Sequence, residues 1–185
     1  MNWHAELKEL RRRERMAREM GGAEKVQRQY NGGRLTVHER VNKLVDAGSF
    51  HETGAIAGSA TYDDHNELTS FTASNCVFGR ARIEGRPIVV VGDDFTVRGG
   101  SADAAIHEKP LMAERMAAEF RLPIVRIIEG SGGGGSVKTI ETKGRANLPG
   151  GVGQSILFDY TTANMAAVPV VATMRKPCAG RVRAC

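Results

Sequence analysis

Leu122-Pro123-Ile124-Val125-Arg126-Ile127-Ile128-Glu129 runs directly into Gly130-Ser131-Gly132-Gly133-Gly134-Gly135-Ser136-Val137-Lys138-Thr139. The first part is a short run of β-branched residues bounded by Pro and Gly, and it reads as a strand buried on both faces. It empties into a loop with five glycines among six residues. Glycine has no Cβ, so a ligand can come close to the main chain and meet N–H donors that side chains would cover. The natural guest of such a surface is anionic, or becomes anionic during a reaction. Fixed N–H groups with no titrating side chain beside them suit oxyanion stabilisation.

The same Pro-initiated apolar pattern occurs three times, as Arg86-Pro87-Ile88-Val89-Val90, Leu122-Pro123-Ile124-Val125-Arg126 and Val168-Pro169-Val170-Val171-Ala172. A helical segment lies between each copy and the next, the first over Ala102 to Arg121 and the second over about Gly153 to Ala166. Strands separated by crossover helices imply parallel pairing in an α/β layer. Ser101 or Asp103 is placed to cap the first helix, and Pro110 either kinks it or starts its second half. Upstream, Ala73 to Ile83 and Arg86 to Val91 are strand-like. Glu84-Gly85 joins them as a two-residue hairpin connection, in which glycine takes positive φ.

Before Phe50 the period is helical. Trp3 to Met20 carries a narrow apolar stripe of Leu7, Leu10 and Met16, with Arg11, Arg12, Arg13, Arg15 and Arg18 over much of the rest. Those arginines are equally readable as a solvated face with pairs such as Glu14 to Arg18 or as phosphate ligands. Gly21-Gly22 ends this helix, and a second, Ala23 to Tyr30, stops at Asn31-Gly32-Gly33. Thr36-Val37-His38-Glu39 is a capping box that starts a third helix running to about Val45, closed by Asp46-Ala47-Gly48.

The bulk properties bound the class. With 185 residues, 41% hydrophobic and 25% charged, the chain is one globular domain or part of a larger one. No apolar run reaches the ~20 residues that span a bilayer, and the N-terminus is charged, so a cytoplasmic location without membrane contact is expected. Cys76, Cys178 and Cys185 form no C-x-x-C pair, so neither a disulfide framework nor a metal site is expected. Residues 1–43 carry 11 Lys/Arg against 6 Asp/Glu, and residues 174–185 carry 4 against none. The positive ends flank a mildly acidic middle, which is not the pattern of a uniformly basic nucleic-acid binder.

Standard glycine-loop motifs fit poorly. A Walker A loop needs glycine before its lysine, and Val137 precedes Lys138. Gly130, Gly132 and Gly135 satisfy G-x-G-x-x-G, yet no acidic residue ends a strand ~20 residues on, as a dinucleotide fold requires. Glu129 stands where a nucleophile elbow would have its first glycine. His4, His38, His51, His65 and His107 are scattered without ligand spacing. A nucleotide-binding α/β domain and a ligand-free surface loop remain as alternatives.

Several motifs in order carry a resemblance. Gly32-Gly33-Arg34-Leu35-Thr36-Val37-His38-Glu39-Arg40-Val41 leads to Asp46-Ala47-Gly48-Ser49-Phe50. Asp94-Phe95-Thr96-Val97-Arg98-Gly99-Gly100-Ser101 follows with Glu108-Lys109, then the strand entering Gly130-Ser131-Gly132-Gly133. With the Arg-rich first helix, residues from about 6 to about 173 resemble the carboxyltransferase subunit of biotin-dependent acyl-CoA carboxylases, the propionyl-CoA, methylcrotonoyl-CoA and acetyl-CoA group. The resemblance implies an α/β, crotonase-like (ClpP/crotonase) fold. It divides the chain into a helical extension (1–48), the N-terminal part of a crotonase-like domain (49–173) and an atypical basic tail (174–185).

The resemblance further implies transfer of a carboxyl group from carboxybiotin to the α-carbon of an acyl-CoA, through a thioester enolate. Two oxygens then gain negative charge, and backbone donors would hold both. Carried over residue by residue, contact with acyl-CoA falls to Arg34, Gly99, Gly100, Ser101 and Lys109, and active-site lining to Gly132 and Gly133. The implied partners are a biotin carboxylase and a biotin carboxyl carrier subunit or domain, which holds the biotin, and further copies of the chain in a homo-oligomer. In the family a second crotonase-like half follows, and an oxyanion-hole glycine pair comes after the third strand. Here Gly180 matches one of that pair, as the catalytic candidate, while Arg181 occupies the other position. A shortened form with little activity alone is therefore expected, and a non-enzymatic CoA-binding or subunit-interaction fragment is the alternative.

Overall fold

The computed structural model describes residues 2–100, 106, 108–129, 141, 144 and 152–174. Three helices come first: α1 (His4–Arg18), α2 (Ala23–Asn31) and α3 (Val37–Leu44). The strands β1 (His51–Glu52), β2 (Gly58–Tyr62), β3 (Leu68–Ala73), β4 (Cys76–Ile83) and β5 (Arg86–Asp93) follow. Then come a single tight turn at Arg98–Gly100, α4 (Glu108–Phe120), β6 (Ile124–Ile128), α5 (Val152–Ala167) and β7 (Val170–Met174).

Five strands form one mixed sheet in the order β1-β4-β5-β6-β7, while β2 and β3 pair separately as a ribbon. The three Pro-initiated segments are β5, β6 and β7, adjacent and parallel as their spacing predicts. Their burial follows the pleat, because successive side chains point to opposite faces. Val77, Ala81, Ile88, Val90, Val125 and Ile127 meet Val37 and Val41 of α3 on one face. Phe78, Val89 and Ile124 meet Ala113 and Ala117 of α4, with Val168, on the other. A sheet covered on both sides accounts for the near-continuous apolar runs.

The expected strand over Ala73 to Ile83 is broken. Ser74 Oγ accepts the Cys76 N–H at 3.2 Å while the Ser74 N–H reaches the Ala57 carbonyl at 2.9 Å, so Ala73 closes β3 and β4 begins at Cys76. The hairpin between β4 and β5 has Ile83 paired with Arg86, and positive φ at both Glu84 and Gly85. Its two exposed N–H groups are taken by the Asp46 carboxylate, each at 2.8 Å. Asp46 also donates its own N–H to the Arg82 carbonyl at 2.8 Å, tying the segment after α3 to the turn. Pro110 lies in the first turn of α4, where its missing N–H leaves no bond unmade.

Candidate functional site

A basic cavity of about 390 Å³ opens beside α2 and is lined by Lys25, Arg28, Arg34, Arg98, Phe95 and Gly99, among others. Lys25 and Arg28 are three apart on α2 and so share one face. The helix then stops in a Schellman motif. Gly33, at φ 66°, donates to the Tyr30 carbonyl at 2.8 Å, and Arg34 donates its N–H to the Gln29 carbonyl at 2.9 Å. That turn swings Arg34 back to the cavity. Its guanidinium lies over the Phe95 ring, 5.4 Å from the centroid, and its buried Nε has no hydrogen-bond partner among the described residues. An acceptor from a ligand would satisfy it.

The opposite wall is built by Asp94-Phe95-Thr96-Val97-Arg98-Gly99-Gly100. Asp94 is buried, and its carboxylate accepts the Thr96 N–H at 2.9 Å and the Thr96 hydroxyl at 2.6 Å. Burial pushes the Asp94 carboxyl upward, and those two bonds pull against it. The Thr96 hydroxyl also accepts the Gly21 N–H at 2.9 Å, latching the α1–α2 corner to this loop. Arg98, Gly99 and Gly100 all have positive φ, a left-handed turn that the two glycines make accessible.

Gly21 is where the corner and the loop touch. A Cβ there would lie 2.0 Å from the Thr96 carbonyl oxygen. Gly21→Ala is expected to lever the corner away and cost about 1–3 kcal/mol by chemical denaturation. An unchanged midpoint would contradict this packing.

A second cavity of about 400 Å³ lies under α1, with Glu14, Arg18, His38, Glu52, Asp94 and Lys109 in its lining. Lys109 is buried, its Nζ 3.7 Å from Glu52 Oε1, and Glu52 Oε2 is 3.1 Å from His38 Nε2. Burial draws the Lys109 ammonium below the usual lysine range, against the opposing pull of Glu52. Cys76 is nearby, but burial pushes its thiol up to about 12, which leaves it unreactive. A third cavity of about 460 Å³ runs along the β2–β3 ribbon. It shares Lys25 and Arg98 with the basic cavity and Met20, Ala73 and Ser74 with the Lys109 cavity.

The structure therefore brings Arg34 and Gly99 together and sets Lys109 in a separate but adjoining hollow. Gly100 closes the turn beside Gly99, its N–H bonded to the Val97 carbonyl at 3.1 Å. Ser101, Gly132, Gly133 and Gly180 lie outside the described residues. The strand that enters the glycine tract is anchored at its end. Glu129 pairs with Arg40 of α3, and its N–H reaches Asp93 Oδ2 at 3.0 Å. Lys25, Arg28 and Phe95 were not singled out from the sequence; the i,i+3 spacing of the two cations on α2 was the available signal. Arg28 makes an exposed pair with Glu24 at 2.9 Å, weak enough to yield to a ligand. Among the described residues no helix is long and apolar enough to cross a membrane.

Residues 28–182 match the carboxyl transferase domain family. The chain is similar to the carboxyltransferase subunit of propionyl-CoA carboxylase from Haloferax mediterranei, 27% identical over 180 residues, covering 97% of this chain and 33% of that protein. It is 30% identical over 160 residues to methylmalonyl-CoA decarboxylase subunit alpha of Veillonella parvula, covering 86% of this chain and 28% of the relative. Among solved structures, transcarboxylase 12S with methylmalonyl-coenzyme A and methylmalonic acid bound superposes with a TM-score of 0.72 at 25% identity, over 94% of this chain and 32% of that one. The chain spans about a third of the length of the curated relatives it matches. With a family match over most of its length, and a mixed sheet with covering helices that superposes on a transcarboxylase, the chain belongs to the carboxyl transferase domain family.

Proposed function

We propose that this chain holds the acyl-CoA substrate of a biotin-dependent carboxyl transfer, with the coenzyme's phosphates in the basic cavity. The observation that carries the reading is the convergence there of Lys25, Arg28, Arg34 and Arg98 on one hollow, with an aromatic face and an unsatisfied guanidinium nitrogen. Several cations around a concave surface suit a polyphosphate, and guanidinium forks add directional bonds. The left-handed turn at Gly99 and Gly100 brings main chain to the rim without a side chain in the way.

The reacting end falls to backbone donors in the glycine tract, at Gly132 and Gly133, and to Gly180. Such donors would hold the thioester oxygen as it turns into an enolate, which is stronger binding in the transition state than in the ground state. Biotin carried by a partner supplies the carboxyl group. This chain's own part is to hold and polarise the thioester. Support for the wider reading comes from the relatives, whose names include a carboxyltransferase subunit and a decarboxylase acting on methylmalonyl-CoA.

Calorimetry with CoA tests the binding half. Arg34→Ala is expected to weaken CoA binding by about 10- to 100-fold, the worth of one charge-assisted contact of ~1.5–3 kcal/mol. Undiminished affinity in that variant, or tighter binding of NAD than of CoA, would remove the assignment. Turnover with free biotin then separates an active carboxyltransferase from a chain that only binds.

A further inference from the structure

The Lys109 cavity is not used by the phosphate contacts, and its side chains are ordered as a reacting group would need. The amine stands 3.7 Å from one oxygen of Glu52, and the other oxygen stands 3.1 Å from His38 Nε2. The 3.7 Å separation is that of an ion pair, and a shortening to hydrogen-bond distance would complete nucleophile, base and orienting group in the arrangement of an activated nucleophile. Glu52 is drawn from β1, His38 from α3 and Lys109 from the start of α4, so three separate elements are brought to one point. Gly54 lies beside the stem, where a Cβ would be in ordinary contact with Lys109 Cε at 3.7 Å. His38 is one-third exposed and gives the cluster an outlet to water.

Position adds a substrate. The ribbon cavity joins the basic cavity to this one through Lys25 and Arg98 at one end and Met20, Ala73 and Ser74 at the other. A ligand with phosphates in the first hollow and a long flexible arm would thus be led toward the second. We propose that Lys109 is an acyl-acceptor site, modified by the acyl-CoA that the chain itself binds. This rests on the reading of the basic cavity as a CoA site.

The step balances without a further reactant. The Lys109 nitrogen forms a bond to the thioester carbonyl carbon, the C–S bond breaks and its electron pair leaves with sulfur. Lys109 starts as an ammonium, so two protons leave its nitrogen: the first passes through Glu52 and His38 to water and frees the amine to attack, and the second passes from Glu52 to the departing thiolate, which ends as the CoA thiol. The product is a neutral amide. It ends the ion pair with Glu52 and places an acyl group in the hollow, so the modification occurs once per chain and blocks its own repetition. The lowered ammonium affinity of Lys109 for its proton is consistent with that role.

The test incubates the full chain with acetyl-CoA and maps acetylated lysines by mass spectrometry over time, with CoA affinity measured by calorimetry on the same sample. Lys109 is expected to react on the order of a hundredfold faster than the exposed Lys8 and Lys43, the scale of positioned general-base assistance. Excess CoA should suppress Lys109 alone. Lys109→Arg should abolish that adduct, and Glu52→Gln should slow it by a similar factor while leaving CoA affinity unchanged. The second variant decides the matter if the first does not fold. CoA binding with Lys109 unmodified, or modified no faster than Lys8, overturns the acceptor site and leaves the CoA reading intact. No CoA binding removes that reading and this inference together.

Discussion

Glu114→Ala is expected to destabilise the fold by about 3–5 kcal/mol, the cost of breaking a buried ion pair from one side. Glu114, on α4, is buried and accepts both Nε and a terminal nitrogen of Arg126 at 2.8 and 2.9 Å. The same carboxylate and the Glu114 backbone carbonyl each accept Asn164 Nδ2 at 2.8 Å. One residue thus joins α4 to β6 and to α5. Removing the side chain strands the Arg126 cation and costs the Asn164 amide one of its two acceptors, the Glu114 backbone carbonyl remaining. Glu114→Met combined with Arg126→Met should recover most of the loss, because no charge is then left unpaired. Urea denaturation of Glu114→Met, Arg126→Met and the double variant measures the coupling; additivity would mean that the pair does not interact.

Phe78→Ala is the other large case, expected to cost about 3–5 kcal/mol for a fully buried aromatic ring. Phe78 has 0% exposure in β4 and sits among Val89, Ile124, Ala113, Ala117 and Val168. Ala113 and Ala117 are one turn apart on α4, and their small size lets the helix settle directly on the ring. The void left by alanine is walled by sheet backbone on one side and by helix on the other, so collapse into it is restricted. Phe78→Leu should lose distinctly less. A shift in denaturation midpoint at constant slope would confirm a folded-state effect, and a loss under about 1 kcal/mol would contradict the packing described.

Local rules carried much of the fold. The capping box at Thr36 and Glu39 forms in full, the Glu39 carboxylate taking the Thr36 N–H at 2.8 Å. Its bonds to Thr36 hold the Glu39 carboxyl below its ordinary range. The Glu84-Gly85 turn and the parallel β5, β6 and β7 were likewise readable, because two-residue hairpins and doubly buried strands leave strong marks on composition. β1 has only two residues and carries no period. β2 and β3 are mostly exposed, so no apolar alternation announces them.

The site divides in the same way. The motif around Asp94 to Gly100 was visible, and its turn proves to depend on a buried carboxylate and a left-handed backbone. That Arg34 and Lys109 face different hollows was not visible, since the separation depends on how α1 and the ribbon pack between them. Nothing in the sequence marks Glu114 and Arg126 as partners. Burial of a charged pair depends on contacts across dozens of residues, and neither spacing nor composition records it.

The clasp of Asp46 on the β4–β5 turn bears on protein engineering. Surface hairpins are the usual choice for inserting a tag or a reporter, because their tips tolerate added length. At Glu84-Gly85 an insertion would pull two amides off the Asp46 carboxylate and free the peptide that follows α3. With that peptide loosened, Val37 and Val41 would lose the tether that keeps them pressed on the sheet, so a label placed for convenience would report a molecule already half undone.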